Sequence, residues 1–263
     1  MTEEPILIDV DGAIATLTIN RPETLNALDL TTIQAMNAAL DRVERDASVR
    51  VIVITGAGRA FIAGGDIADL NSRRGLAHYQ EFAEDIHRLF RRIELLDKPT
   101  IAAVNGFALG GGTELLLAMD LRILSDKARL GLPEIKLGLF PGAGGTQRII
   151  RQLPLCRAKE IMFTGDMLSA DEAVAVGLAN RVVPHDSLMA EARAMAEKVA
   201  SASPLVLKLQ GGRAPFRWLA NGRPLSELSR ARTSQWQPDG IGHSTLTVID
   251  AAGRAASVRV FVE

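Results

Sequence analysis

Glu114 and Glu134 are the residues of this chain whose type and setting most suit them to chemistry. Each follows a short turn of small or apolar residues, Ala108-Leu109-Gly110-Gly111-Gly112-Thr113-Glu114 and Gly131-Leu132-Pro133-Glu134. Apolar surroundings disfavour the charged form and push a carboxyl toward neutrality in its pKa. Two such groups around one cavity could give and take protons on a small substrate. Taken alone, Glu134 could also be a surface charge or a structural partner of Arg148; its apolar flanks argue for partial burial.

Backbone donors are the second ingredient. In Phe61-Ile62-Ala63-Gly64-Gly65-Asp66-Ile67 the small residues Ala63 and Gly64 let a ligand approach the main chain, and their N–H groups could face a carbonyl oxygen. Asp66, with Asp69 three residues on, fits a helix N-cap better than a catalytic role. The triple glycine Gly110-Gly111-Gly112 has two readings. It is either tight packing of a helix on a strand, or an anion site at a helix N-terminus. N–H donors from two separate turns would make an oxyanion hole.

Other chemistries lack their motifs. There is no Gly-x-Gly-x-x-Gly, P-loop, His-Glu-x-x-His or Gly-x-Ser-x-Gly. The four histidines, His78, His87, His185 and His243, are scattered and read as surface or capping residues. The single cysteine, Cys156, excludes an intrachain disulfide and reads as a small buried apolar residue.

The elements that must position these groups follow from periodicity. Ile6–Ile8 and Ala13–Ile19 read as a hairpin about Asp11-Gly12. Helical spacing covers Leu30 to Glu44. Short apolar strands at Val51–Thr55, Pro99–Val104 and Leu121–Leu124 alternate with helices over roughly 77–95 and 113–119. Further helices are expected at Ala158–Met162, Ala170–Gly177 and about 186–201, with Val182–Pro184 extended. This alternation indicates an α/β fold with sheets buried on both faces. A boundary falls near 200. Beyond it Pro204–Leu209 reads as the start of a helix, and Ser244 to Glu263 as a hairpin.

At 263 residues the chain can bury a sizeable core, and its net charge of −1 gives no bulk attraction to nucleic acid or anionic membrane. The longest apolar region, roughly 99–119, carries Asn105, glycines and Glu114 and makes a poor membrane span. The opening Met-Thr-Glu-Glu-Pro does not indicate secretion, so a cytoplasmic enzyme is the expectation.

Four stretches in order, Asn20 to Leu28, Phe61 to Ile67, Ala102 to Glu114 with Asp120, and Gly131 to Arg148, resemble the enoyl-CoA hydratase/isomerase (crotonase) family. The resemblance runs from about residue 5 to 200. It implies a spiral of ββα turns (1–200) and a partly helical C-terminal oligomerisation segment (201–263) that drives trimers and dimers of trimers. It implies acyl-CoA thioester substrates and no metal or redox cofactor, coenzyme A being part of the substrate. Carried over by residue, the N–H groups of Ala63 and Gly111 match the oxyanion hole, and Glu114 and Glu134 the two catalytic glutamates of the hydratases. The backbone of Ala63, Gly64, Gly65 and Asp66 matches a loop that also contacts the CoA adenine. The expected activity is hydration of a trans-2-enoyl-CoA. Δ3-Δ2-enoyl-CoA isomerisation and a non-catalytic crotonase-fold binding module are the alternatives. The tail departs from the family's pattern: no lysine follows Lys208, and the chain ends Val258-Arg259-Val260-Phe261-Val262-Glu263.

Overall fold

The computed structural model describes residues 4–66, 69, 76–201, 206–208, 213–225, 228–230, 233–236 and 242–262. It divides into two units, Met1–Val199 and Ala200–Glu263.

In the first unit the chain begins with a hairpin, β1 (Ile6–Asp11) and β2 (Ile14–Ile19). Helix α1 (Leu30–Arg45) follows, its Asp29 cap accepting from the Thr32 N–H. Next come β3 (Val51–Gly56), β4 (Ala60–Ile62), α2 (Leu76–Leu95), β5 (Thr100–Val104), β6 (Phe107–Leu109) and α3 (Gly111–Ala118). Then come β7 (Leu121–Ser125), β8 (Arg129–Gly131), a 3-10 turn over Pro133–Leu137, α4 (Gly145–Gln152), α5 (Leu155–Thr164) and β9 (Leu168–Ser169). Helix α6 (Ala170–Ala175), β10 (Arg181–Val183) and α7 (Leu188–Ser201) complete the order.

Three successive segments share one plan: a strand, a short strand, then a helix. The first strands join a six-stranded sheet in the order β1-β2-β3-β5-β7-β10, parallel from β2 onward. The short strands form a second, four-stranded sheet, β4-β6-β8-β9. This is the expected spiral. Every residue of β3 and β5 is buried, as a parallel sheet covered on both faces requires. The apolar stripe of α1, with Ile33, Met36, Leu40 and Val43, packs into the same core.

The second unit is built of strands. After α7 come β11 (Val206–Lys208), β12 (Arg217–Ala220), β13 (Arg223–Pro224), β14 (Thr233–Gln235), β15 (Gly242–Ile249) and β16 (Ala255–Val262). Strands β11 and β14 pair antiparallel, and β13-β12-β15-β16 form an antiparallel sheet. The hairpin expected near the C-terminus is β15 and β16. The helix expected from Pro204 is corrected: Val206–Lys208 is a strand, and among the described residues beyond α7 there is no helix. Val206–Lys208 pairs antiparallel with Thr233–Gln235, and period-two burial marks the strands β12 and β15. Trp218 and Ala220 alternate with less buried neighbours, as do Ser244, Leu246 and Val248.

Two smaller readings also change or stand. Cys156 is exposed on α5 rather than buried, because it falls on the outer side of the stripe formed by Ala158 and Ile161. His87 and His243 are exposed, and the Nδ1 of His185 lies 2.9 Å from Ser125 Oγ; the side chain of His78 is outside the described residues. Among the described residues no helix is long and apolar enough to cross a membrane.

Candidate active site

Strands β4, β6 and β8 are parallel neighbours, so their carboxyl ends open at one edge of the small sheet. Each end runs into a segment singled out by its residue types: Ala63-Gly64-Gly65 after β4, Gly110-Gly111-Gly112 after β6, and Leu132-Pro133-Glu134 after β8. Parallel pairing therefore brings together residues that lie up to 71 positions apart in the chain (63 to 134). Further bonds fix the register. Gly110 N–H donates to Gly131 O at 2.9 Å, and Thr113 Oγ1 donates to Ala108 O at 2.6 Å while accepting from Gly131 N–H at 3.1 Å.

The triple glycine has separable duties. A Cβ on Gly112 would stand 2.2 Å from the Ile62 carbonyl oxygen, so the start of α3 can rest on β4 only without a side chain there. Gly110 has φ +51°, and a Cβ on it would stand 3.0 Å from Glu134 Oε1 and 3.9 Å from Gly64 Cα. The main chain at Gly110 thus lies between the first turn and the second glutamate.

Glu114 sits in the first turn of α3 and is 2% exposed. Its Oε1 accepts from Ala143 N–H at 2.8 Å and from Gly145 N–H at 2.7 Å. Burial pushes its pKa up to about 7. The Glu134 charge adds to that rise, while the two amides and Arg148 oppose it. Glu134, in the 3-10 turn, is also raised by burial, and its buried Oε2 makes no hydrogen bond. The two glutamates are therefore electrostatic neighbours, and burial raises the pKa of both above the ordinary carboxyl value.

The backbone donors need a correction. Ala63 N–H donates to Leu25 O at 3.1 Å, so it is already engaged within the fold. Leu28 N–H donates to Gly64 O at 2.9 Å and Asp66 N–H to Leu28 O at 2.8 Å, which ties the 63–66 segment to the 25–28 loop. The N–H groups of Gly65 and Gly111 enter none of the hydrogen bonds of the described residues. The Gly64 carbonyl carbon, to which the Gly65 nitrogen is bonded, lies 3.9 Å from where a Gly111 Cβ would be. Among the described residues, Gly65 rather than Ala63 thus has an unengaged N–H near Gly111.

Asp66 is structural, as its N-cap reading expects. Its carboxylate pairs with Arg21 at 3.2 Å and accepts from Asp69 N–H at 3.2 Å. Arg21 also pairs with Asp29 at 3.1 Å and donates to Ala27 O at 2.6 Å. Asn26, fully buried with φ +58°, donates to Ala57 O and Ala60 O and accepts from Arg21 N–H. Arg148 does not serve Glu134; it ion-pairs with Glu94 at 3.2 Å and donates to Ala143 O at 2.9 Å. Sequence reasoning gives no role to Ala143 or Gly145. The signal available was a glycine turn next to a helix that needed a reason to exist.

Residues 9–210 match the family described as Enoyl-CoA hydratase/isomerase. Residues 191–260 match one described as Penicillin-Binding Protein C-terminus Family. The chain is 43% identical over 205 residues to the short-chain-enoyl-CoA hydratase of Clostridium acetobutylicum, covering 78% of each. It is 40% identical over 246 residues to the crotonyl-CoA hydratase of Syntrophomonas wolfei, covering 93% of this chain and 92% of the relative. The crystal structure of an enoyl-CoA hydratase from Bacillus anthracis superposes with a TM-score of 0.74 at 40% identity, covering 76% of this chain and 78% of that one.

Proposed function

The chain belongs to the enoyl-CoA hydratase/isomerase family, and from that premise we propose that its site adds water across the C2=C3 bond of a short-chain trans-2-enoyl-CoA. The observation that carries this reading is the pair of buried, electrostatically coupled carboxyls, Glu114 and Glu134, beside the main-chain amides of Gly65 and Gly111, which are unengaged among the described residues. The short acyl chain rests on the names of the two bacterial relatives.

The thioester oxygen accepts from the N–H groups of Gly111 and Gly65. Attack at C3 moves the π electrons toward C2 and this oxygen, and the resulting enolate is stabilised by donors already in place. The N-terminus of α3 adds its positive end. Glu114 takes a proton from the attacking water; the two amides on its Oε1 favour its ionised form. Glu134 gives its proton to C2, and an Oε2 without a partner suits a neutral carboxyl. One water is added, nothing is oxidised or reduced, and the chemistry calls for no metal or redox cofactor; coenzyme A arrives on the substrate.

Isomerisation between C2 and C4 needs a single base. Two carboxyls converging on one place favour hydration over it. The reading extends to assembly as a trimer or dimer of trimers. The support is the exposure of the large apolar side chains Leu137, Leu139, Phe140 and Phe163 on the first unit. Sedimentation of the whole chain as a monomer would remove that part.

The activity test is loss of enoyl absorbance with crotonoyl-CoA. Glu114→Gln and Glu134→Gln should each lower kcat by about two to four orders of magnitude while CoA-ester binding survives. Turnover near that of the unmodified protein in either variant would overturn the assignment.

A further inference from the structure

Glu114 owes its orientation to a turn, and that turn is held by an ion pair. Ala143 and Gly145 supply the two N–H groups on Glu114 Oε1. Gly144 between them has φ +96°, which turns both amides to one side. The Arg148 guanidinium lies directly against this turn: Nη1 donates to Ala143 O at 2.9 Å, and a Cβ on Gly144 would come within 2.2 Å of the same nitrogen. Arg148 is 7% exposed and reaches Glu94 on α2 with Nη2 at 3.2 Å. Glu94 is shared with the more exposed Arg91, 3.1 Å away.

We propose that Arg148, anchored by Glu94, is a positioning residue for Glu114: it fixes the Ala143 peptide so that both amides bind the carboxylate of the water-activating glutamate. The planar guanidinium fits the task because its rigid fork holds a carbonyl and a carboxylate in fixed directions, where an ammonium is a rotatable point charge. Arg148 touches neither water nor thioester. It acts through the turn and through its charge, which favours the ionised form of Glu114 against burial and against Glu134. The charged groups around Glu114 are thus Glu134 from the 3-10 turn and Arg148 from α4, with Glu94 and Arg91 from α2 behind Arg148.

This inference rests on the hydratase reading for its kinetic arm but not for its spectroscopic arm. Arg148→Met should lower kcat with crotonoyl-CoA by about 10- to 100-fold, the range of a misplaced catalytic group, with KM little changed. The acidic limb of its kcat profile should move to higher pH, because the cation favouring the carboxylate is gone. Arg148→Lys should keep the limb in place yet recover only part of kcat. Glu94→Gln, which leaves the bond to Ala143 O available, should have the smallest effect. Independently of turnover, carbon-13 carboxyl NMR of the whole protein should show the Glu114 titration displaced upward in Arg148→Met. A chain that never hydrates crotonoyl-CoA yet shows this displacement defeats the activity reading and leaves the positioning role standing. An unmoved titration and limb, with kcat unchanged per folded molecule, would overturn the positioning role. Should Arg148→Met not fold, Arg148→Lys decides alone: full kcat sinks the proposal, and reduced kcat at an unmoved limb supports it.

Discussion

Gly145 N–H donates to Glu114 Oε1 at 2.7 Å, joining residues that are 31 positions apart and belong to the first turns of two helices. The bond places the start of α4 over the start of α3, with no room between them. A Cβ on Gly145 would stand 2.8 Å from both Cγ and Oε1 of Glu114 and 3.1 Å from Pro141 Cβ. The glycine is therefore there for the carboxylate.

Gly145→Ala should separate chemistry from binding. The methyl must displace Glu114 or the turn. We expect kcat to fall by about 10- to 100-fold with KM little altered, and stability to fall by about 1–3 kcal/mol through overpacking. Steady-state kinetics and urea unfolding on one preparation check both. A normal kcat would mean that the glutamate tolerates displacement and is not the water-activating group.

The raised pKa of Glu114 makes stability depend on pH in a stated direction. In the fold the group titrates at about 7, against an ordinary value of 4.5. The folded protein binds this proton more tightly than the unfolded chain does. The associated stability is complete below pH 4.5 and is lost as pH rises through about 7. The loss is on the order of 3 kcal/mol. Glutamine does not titrate. From about pH 5 to about pH 8 the unfolding free energy of the unmodified protein should therefore fall relative to that of Glu114→Gln. Denaturant unfolding of both proteins across the range reads the difference. A constant gap would contradict the burial of an ionisable carboxyl.

Much of the fold was legible in the sequence because long strands and helices carry their own period. Leu30–Arg45 repeats its apolar residues at helical spacing, and residues 51–54 form an uninterrupted apolar run. The small sheet was not read. Ala60–Ile62, Phe107–Leu109, Arg129–Gly131 and Leu168–Ser169 are two or three residues long, too short to show a period. Yet that sheet is what gathers Glu114 and Glu134. Resemblance to a family supplied their partnership; composition supplied only their apolar setting. The choice between Ala63 and Gly65 as donor was hidden for a different reason. It depends on a bond to Leu25, 38 residues upstream, which no local pattern reveals. Val206–Lys208 carries no local sign of its strand, because a short, mostly apolar run fits either helix or strand.

Asn26 tests the loop that carries the Gly65 segment. Its amide bonds to Ala57 O at 2.9 Å and Ala60 O at 2.7 Å, and its oxygen accepts from Arg21 N–H at 2.8 Å. Asn26→Ala removes all of these, one buried and two part-buried. Ala60 O keeps Asn105 Nδ2 at 3.1 Å, but Ala57 O and Arg21 N–H lose these partners. We expect about 1–3 kcal/mol of destabilisation, from two half-buried polar groups that lose these partners. Because Leu25 and Leu28 bond Ala63, Gly64 and Asp66, kcat/KM should fall as well. Thermal unfolding with kinetics well below the midpoint checks both. Unchanged stability would show that the loop stands without this side chain.

Gly112→Ala reverses the ordinary rule for a helix. In an exposed helix interior that exchange stabilises by about 1 kcal/mol. Here the new Cβ would lie 2.2 Å from the Ile62 carbonyl oxygen and 3.0 Å from its Cβ, and backbone cannot yield as a flexible side chain can. Either α3 lifts from β4 or β4 moves. Both routes change the relation between Gly111 and the Ala63–Gly65 segment that follows Ile62, and hence the spacing of the two amides on the thioester oxygen. We expect stability to fall by about 1–3 kcal/mol, and kcat by about two to three orders of magnitude, as when an oxyanion donor is lost. Gly177→Ala is the control. It has φ +81° with open space around it, so it should lose about 1 kcal/mol from backbone strain alone and leave kcat intact. Equal kinetics for the two variants would mean that the contact of α3 with β4 does not set the donors, and that the oxyanion site lies elsewhere.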